Sequence, residues 1–164
     1  MEHQRELPPP EILIRQHEGS RTSLRPLFEL AEDSVTALDS YISEGQVIVA
    51  VASDGVVGHL QLTATIDPSV REVKNMAVDE AAQGYGVGSA LVRAALELSR
   101  DAGALRVVVA TAAADIDNLR FYQRRGFRLL EVERDAFTAR TGYPPGLLID
   151  GIELRDRVWL DQLV

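Results

Sequence analysis

Residues 83–103 read QGYGVGSALVRAALELSRDAG, and the rest of the fold is built outward from this stretch. Val87, Ala90, Leu91, Ala94, Ala95 and Leu98 recur at helical spacing and make one apolar stripe. Gly103 stands where a helix terminator belongs. EVKNMAVD (72–79) comes before the helix and reads as a strand; LRVVVATAA (105–113) comes after it. The second run is nearly continuous in β-branched and small apolar residues, the pattern of a central strand covered on both faces. A strand, a helix and a strand in succession give a parallel pair with a right-handed crossover.

Upstream, EILIR (11–15) predicts a first strand, and Leu24, Leu27, Phe28 and Leu30 fit a helix that Ser20 or Thr22 would cap. A second short helix fits Ser34 to Ser43. QVIVAVA (46–52) and VVGHLQLTATI (56–66) are strands joined at Asp54-Gly55, a strong hairpin signal. Downstream, residues 114–126 predict a short helix with Asp115 as cap and Gly126 as terminator. Residues 127–137 predict a sixth strand, 138–151 a long connection, and 152–160 a closing strand. The order β-α-α-β-β-β-α-β-α-β-β specifies a mixed α/β sheet, and 164 residues suit one domain over residues 10–160. Residues 1–9, with a proline run, are expected to form a flexible arm.

Composition narrows the function classes. With no cysteine there is no thiolate metal site and no cysteine nucleophile, and His3, His17 and His59 show no metal-ligand spacing, so no metal is expected. The formal charge of -8 and pI near 4.9 argue against nucleic acid or an anionic membrane as partner and suit a cationic one. No apolar run approaches the roughly 20 residues of a membrane span, and the N-terminus lacks a secretory pattern, so the expected compartment is the cytoplasm.

Gln83-Gly84-Tyr85-Gly86-Val87-Gly88 lies between a strand and a helix start. Glycine lets the backbone turn tightly and approach a ligand closely, while the free N–H groups and dipole of the first helical turn favour an anion. The physical reading is a phosphate or pyrophosphate cradle; a plain flexible turn is the alternative. There is no Gly-Lys-Ser/Thr for a Walker A loop, and the spacing Gly84-x-Gly86-x-Gly88 after the fourth strand is not the dinucleotide fingerprint.

Two motifs together resemble the GNAT superfamily of N-acetyltransferases. Gln83-x-x-Gly86-x-Gly88 is similar to that family's acyl-CoA pyrophosphate motif. The run Asn118 to Phe127 (NLRFYQRRGF) resembles its second signature, a short helix carrying a tyrosine and ending in Gly-Phe. The resemblance covers about residues 10–160. It implies a mixed, mostly antiparallel sheet of about seven strands, with strands four and five splayed apart, a bulge in strand four and helices on both faces. It implies acetyl-CoA as cosubstrate. The pantetheine arm would lie along Met76, Ala77 and Val78, with a backbone N–H near Val78 polarising the thioester. Gln83, Gly84, Tyr85, Gly86, Val87, Gly88 and Ser89 would hold the pyrophosphate, and Asn118 would contact the pantetheine or adenosine part. Tyr122 matches the tyrosine that protonates the departing thiolate.

Direct transfer to an amine needs a base to take the ammonium proton. By the resemblance Glu72 occupies the place of a catalytic glutamate; it also reads as a strand-end charge paired with Arg71. His59 is a second candidate base, since an imidazole titrates in the useful range, although a lone strand histidine also reads as structural. Asp156, in an apolar stripe with Ile152, Leu154, Val158 and Leu160, is expected to pair with an arginine. The resulting expectation is transfer of acetyl from acetyl-CoA to a primary amine, small molecule or peptide, in a ternary complex, with a homodimer left open. A non-catalytic acyl-CoA sensor on the same fold is the alternative.

Overall fold

In a computed structural model the chain is described over residues 11–164, so the arm expected at residues 1–9 lies outside the described residues. Seven strands form one sheet in the order β1-β2-β3-β4-β5-β9-β6. They are β1 (Leu13–Gln16), β2 (Gln46–Ala52), β3 (Gly55–Ala64), β4 (Val70–Val78), β5 (Arg106–Ala112), β6 (Arg128–Glu133) and β9 (Arg157–Leu163). All neighbours are antiparallel except β4 and β5. The helices are α1 (Arg25–Leu30), α2 (Val35–Tyr41), α3 (Val87–Asp101) and α4 (Ile116–Arg124).

Side chains alternate across β2, and this places two cores on opposite faces of the sheet. Val47 and Val49 pack with Leu24 and Phe28 from the α1 region and Leu38 and Tyr41 of α2. Ile48 and Ala50 pack with Leu91, Val92 and Ala95 of α3. The expectation of helices on both faces holds, and the apolar stripe read from α3 is the part that buries. Full burial of such side chains is worth about 1.5–3 kcal/mol each, which fixes the helices to their faces.

Two expected boundaries are corrected. The sixth strand ends at Glu133, not at residue 137. The closing strand does not run over 152–160: Leu148–Ile149 (β7) and Ile152–Glu153 (β8) form a separate hairpin, and β9 begins at Arg157. The hairpin turn is Asp150-Gly151, with φ of 49° and 82°, the two positive values that a type I′ turn demands. Asp156 then interrupts the strand. Its carboxylate accepts the Asp135 N–H at 2.9 Å and its carbonyl accepts the Ala113 N–H at 2.9 Å. The arginine partner expected for Asp156 belongs to its neighbour's network instead, since Arg155 Nε donates to Asp135 at 2.6 Å.

Candidate active site

The site begins as a fault in the sheet. β4 pairs with β5 only over Val70–Val73, ending at Val73 opposite Val109, whereas β4 stays paired with β3 as far as Val78 opposite Gly58. The register of β3 and β4 shifts at Lys74, so β4 carries a bulge there. Beyond it the ladder parity is set by the Asp79 N–H bond to the Val57 carbonyl at 2.8 Å. Asn75 and Ala77 therefore exchange hydrogen bonds with β3, and Met76 and Val78 turn their N–H and C=O groups to the other edge, where β5 has left. The Val78 carbonyl is taken by the Gln83 side-chain amide at 3.0 Å. The Met76 N–H and C=O and the Val78 N–H face the gap, which opens into a cleft of about 1390 Å³.

The glycine loop closes one end of this cleft. Gly84 and Gly86 have φ of +83° and +81°, and Gly86 is the N-cap of α3 with no side-chain cap of its own. The first bond of α3 runs from the Ala90 N–H to the Gly86 carbonyl at 3.0 Å. The N–H groups of Val87, Gly88 and Ser89 thus have no partner one turn back, which is the arrangement that binds anions. The Val87 side chain is buried in the core and anchors the loop. Gly88 serves packing: a Cβ there would lie 3.1 Å from the Phe121 ring of α4. Tyr85 is exposed and its ring does not line the cleft. Arg125, at the end of α4, reaches the loop; its Nε donates to Ser89 Oγ at 2.6 Å while its guanidinium lies 4.6 Å over Phe121.

Tyr122 and Glu72 line the same cleft. The Tyr122 ring packs edge-on against Phe121 and Phe127. Burial, and then the Asp115 carboxylate, push the phenol pKa up, so it holds its proton at neutral pH. The Glu72 side chain is 18% exposed. Burial raises its carboxyl pKa, and nearby Lys74 and Arg157 partly offset this. Its partner is Lys74, with Nζ 3.7 Å from Oε1, and not Arg71. His59 lies elsewhere: it is fully buried, stacked on Phe28 with centroids 4.1 Å apart, and its Nε2 is 2.8 Å from Asn75 Oδ1. Desolvation lowers its pKa to about 4, so it is a neutral core residue outside the cleft.

Residues 12–127 match the Acetyltransferase (GNAT) family. The chain belongs to this family. It is 32% identical over 152 residues to the uncharacterized N-acetyltransferase YvbK of Bacillus subtilis, covering 92% of this chain and 96% of that one. A Bacillus subtilis acetyltransferase solved in complex with CoA superposes with a TM-score of 0.84 at 32% identity, over 94% of this chain and 99% of that one. A GNAT acetyltransferase of Elizabethkingia anophelis with acetyl-CoA bound gives 0.85 at 26% identity, over 93% and 98%. The splayed β4 and β5 and the glycine loop are thus the GNAT frame.

The far end of the cleft of this GNAT protein is built by residues that sequence reasoning missed. Glu32, between α1 and α2, accepts the Tyr143 hydroxyl at 2.8 Å across 111 residues of chain. Burial raises the Glu32 pKa and the Tyr143 bond partly offsets it. Tyr143 packs edge-on against Phe137, and Arg157 lies 5.0 Å over Phe137 while its guanidinium bonds Glu133 at 3.2 Å. Asp33 also lines this end. Asn118 lines the cleft; its backbone N–H is held by Asp115 Oδ1 at 3.0 Å, the cap foreseen for α4. Asp150-Gly151 was a readable signal for the missed hairpin; Glu32 and Tyr143 carry no local pattern that could have marked them.

Proposed function

We propose that this GNAT protein transfers the acetyl group of acetyl-CoA to a primary amine by direct attack in a ternary complex. The observation that carries the reading is that a half-buried carboxylate on β4 and a proton-holding phenol on the helix after β5 face one cleft at the split of the sheet. Met76 and Val78 offer backbone groups to the amides of a pantetheine arm, and a gap-facing N–H polarises the thioester carbonyl. The first turn of α3, with Arg125 beside it, holds the pyrophosphate. Asn118 contacts the pantetheine or adenosine part. Glu72 takes the ammonium proton of the acceptor and Tyr122 gives a proton to the departing sulfur.

Glu32, Asp33 and Glu72 favour a cationic small molecule as acceptor. The test is a turnover screen over diamines, amino sugars, amino acids and peptide N-termini, read by thiol release and repeated with Tyr122→Phe. Turnover with one class, reduced about 10-fold or more in the variant at unchanged acetyl-CoA affinity, supports the reading. Tight acetyl-CoA binding with no turnover on any class would favour the sensor.

A further inference from the structure

Lys74 is the sole lysine among the 17 basic residues of the chain. That one side-chain primary amine stands on the β4 bulge, lines the cleft, and holds its Nζ 3.7 Å from Glu72 Oε1. Its ammonium also lies 5.0 Å from the centre of the Tyr41 ring, which marks one wall of its position. The side chain is one-third exposed, so it is free to turn on its four-carbon stem. The gap-facing Met76 N–H follows two residues later, about 6.6 Å along a strand. Of the two gap-facing N–H groups, Met76 is nearer to Lys74 than Val78, and an acyl group held at Met76, in place of the Val78 position the resemblance implies, is within the stem's sweep. The cleft thus presents to its own base the functional group that an acceptor would bring.

We propose that Lys74 is a self-acetylation site, modified by acetyl-CoA in this cleft when no external amine is bound. The inference rests on the acetyltransferase reading above. The Lys74 ammonium gives one proton to the Glu72 carboxylate, which passes it to solvent. The neutral Nζ then attacks the thioester carbonyl carbon and forms the C–N bond. The C–S bond breaks with its electron pair on sulfur, and the second nitrogen proton ends on the sulfur through Tyr122. The products are Nε-acetyl-Lys74, CoA thiol and one released proton. Acetylation removes the charge beside Glu72, an attraction that favours the carboxylate form. The modified enzyme therefore loses activity at a higher pH on the acid side than the unmodified one.

The experiment incubates the full chain with acetyl-CoA and no acceptor, and follows intact mass with peptide mapping. One acetyl group is expected on Lys74, appearing at a rate independent of protein concentration. It should be absent in Lys74→Arg and at least about 10-fold slower in Glu72→Gln. Circular dichroism of both variants checks their fold. An enzyme that acetylates an external amine but leaves Lys74 unmodified overturns the inference and leaves the acetyltransferase reading standing. Equal labelling of native, Glu72→Gln and urea-unfolded protein also overturns it, since it marks uncatalysed acetylation. Failure to bind acetyl-CoA or to turn over any amine overturns the acetyltransferase reading, and the inference with it.

Discussion

At Glu72 two opposing influences decide the chemistry. Burial raises the carboxyl pKa, and Lys74 and Arg157 partly offset that rise. A base acts only when deprotonated, so kcat/KM should fall as pH drops through this raised value. Glu72→Gln should cost about 10²–10⁴-fold near pH 7, and the loss should shrink at high pH, where the acceptor amine is already neutral. A pH-rate profile of both proteins checks this, and a loss constant with pH would assign Glu72 to binding instead. His59 makes the contrasting case. Its pKa falls from 6.5 to about 4 because the folded chain desolvates it. Below pH 6.5 the unfolded chain takes up a proton that the folded chain refuses. Stability from this group is therefore full above 6.5 and is lost as pH falls to about 4, on the order of 3 kcal/mol. Urea unfolding of wild type and His59→Gln over pH 4–7 should show that difference in slope; parallel curves would refute it.

At the scale of elements, the split between β4 and β5 and the start of α3 act as one unit. With acetyl-CoA bound, the Met76 and Val78 amides should gain protection from hydrogen exchange, while Ala77, already bonded to β3, should change little. Residue-resolved exchange with and without ligand measures this, and equal protection at all three would show that the gap is not the binding edge. Gly86 sits at φ +81° with no protein atom within 4 Å of where a Cβ would go. Gly86→Val therefore meets no clash inside the protein. It carries a left-handed strain of about 1–3 kcal/mol, and on the proposed reading its side chain would crowd the pyrophosphate. The variant should fold with a lowered Tm and lose acetyl-CoA binding by calorimetry. Wild-type affinity in the folded variant would exclude the loop as the pyrophosphate cradle. These elements were legible in the sequence because each is local: the glycines, the α3 stripe and the β-branched β5 lie within about thirty residues, the span of a βαβ unit. The closing strand was misread for a physical reason. Ile152, Leu154, Val158 and Leu160 keep a period of two across a break that Asp156 makes through contacts to Asp135 and Ala113, which are distant in sequence.

Across the whole molecule, a formal charge of -8 meets a cleft whose lining mixes Glu32, Asp33 and Glu72 with Lys74 and Arg157. On the proposed reading these carboxylates would attract a cationic amine, and salt would screen that attraction, with a Debye length of about 10 Å at 0.1 M. The KM of a cationic acceptor should therefore rise with ionic strength while kcat holds. Steady-state kinetics over a salt series measures this, and a flat KM would remove the electrostatic argument for the acceptor class. The far end of the cleft was the least legible part of the site. Glu32 and Tyr143 meet through a fold that spans 111 residues, and Arg125 is one of two adjacent arginines whose directions only the end of α4 distinguishes. Tyr122 and Glu72 could be named from the resemblance to the GNAT motifs, whereas the surroundings of Lys74 and His59 depend on what each touches.

The missing hydrogen bonds between β4 and β5 also bear on solubility. Open rows of N–H and C=O groups normally occur at the rim of a sheet, where another chain can add itself and start an aggregate. Here the open row lies mid-sheet, flanked by the start of α3 and by Tyr122 of α4. An open row inside the sheet, with helices beside it, is less accessible to a second polypeptide strand than one at the outer rim.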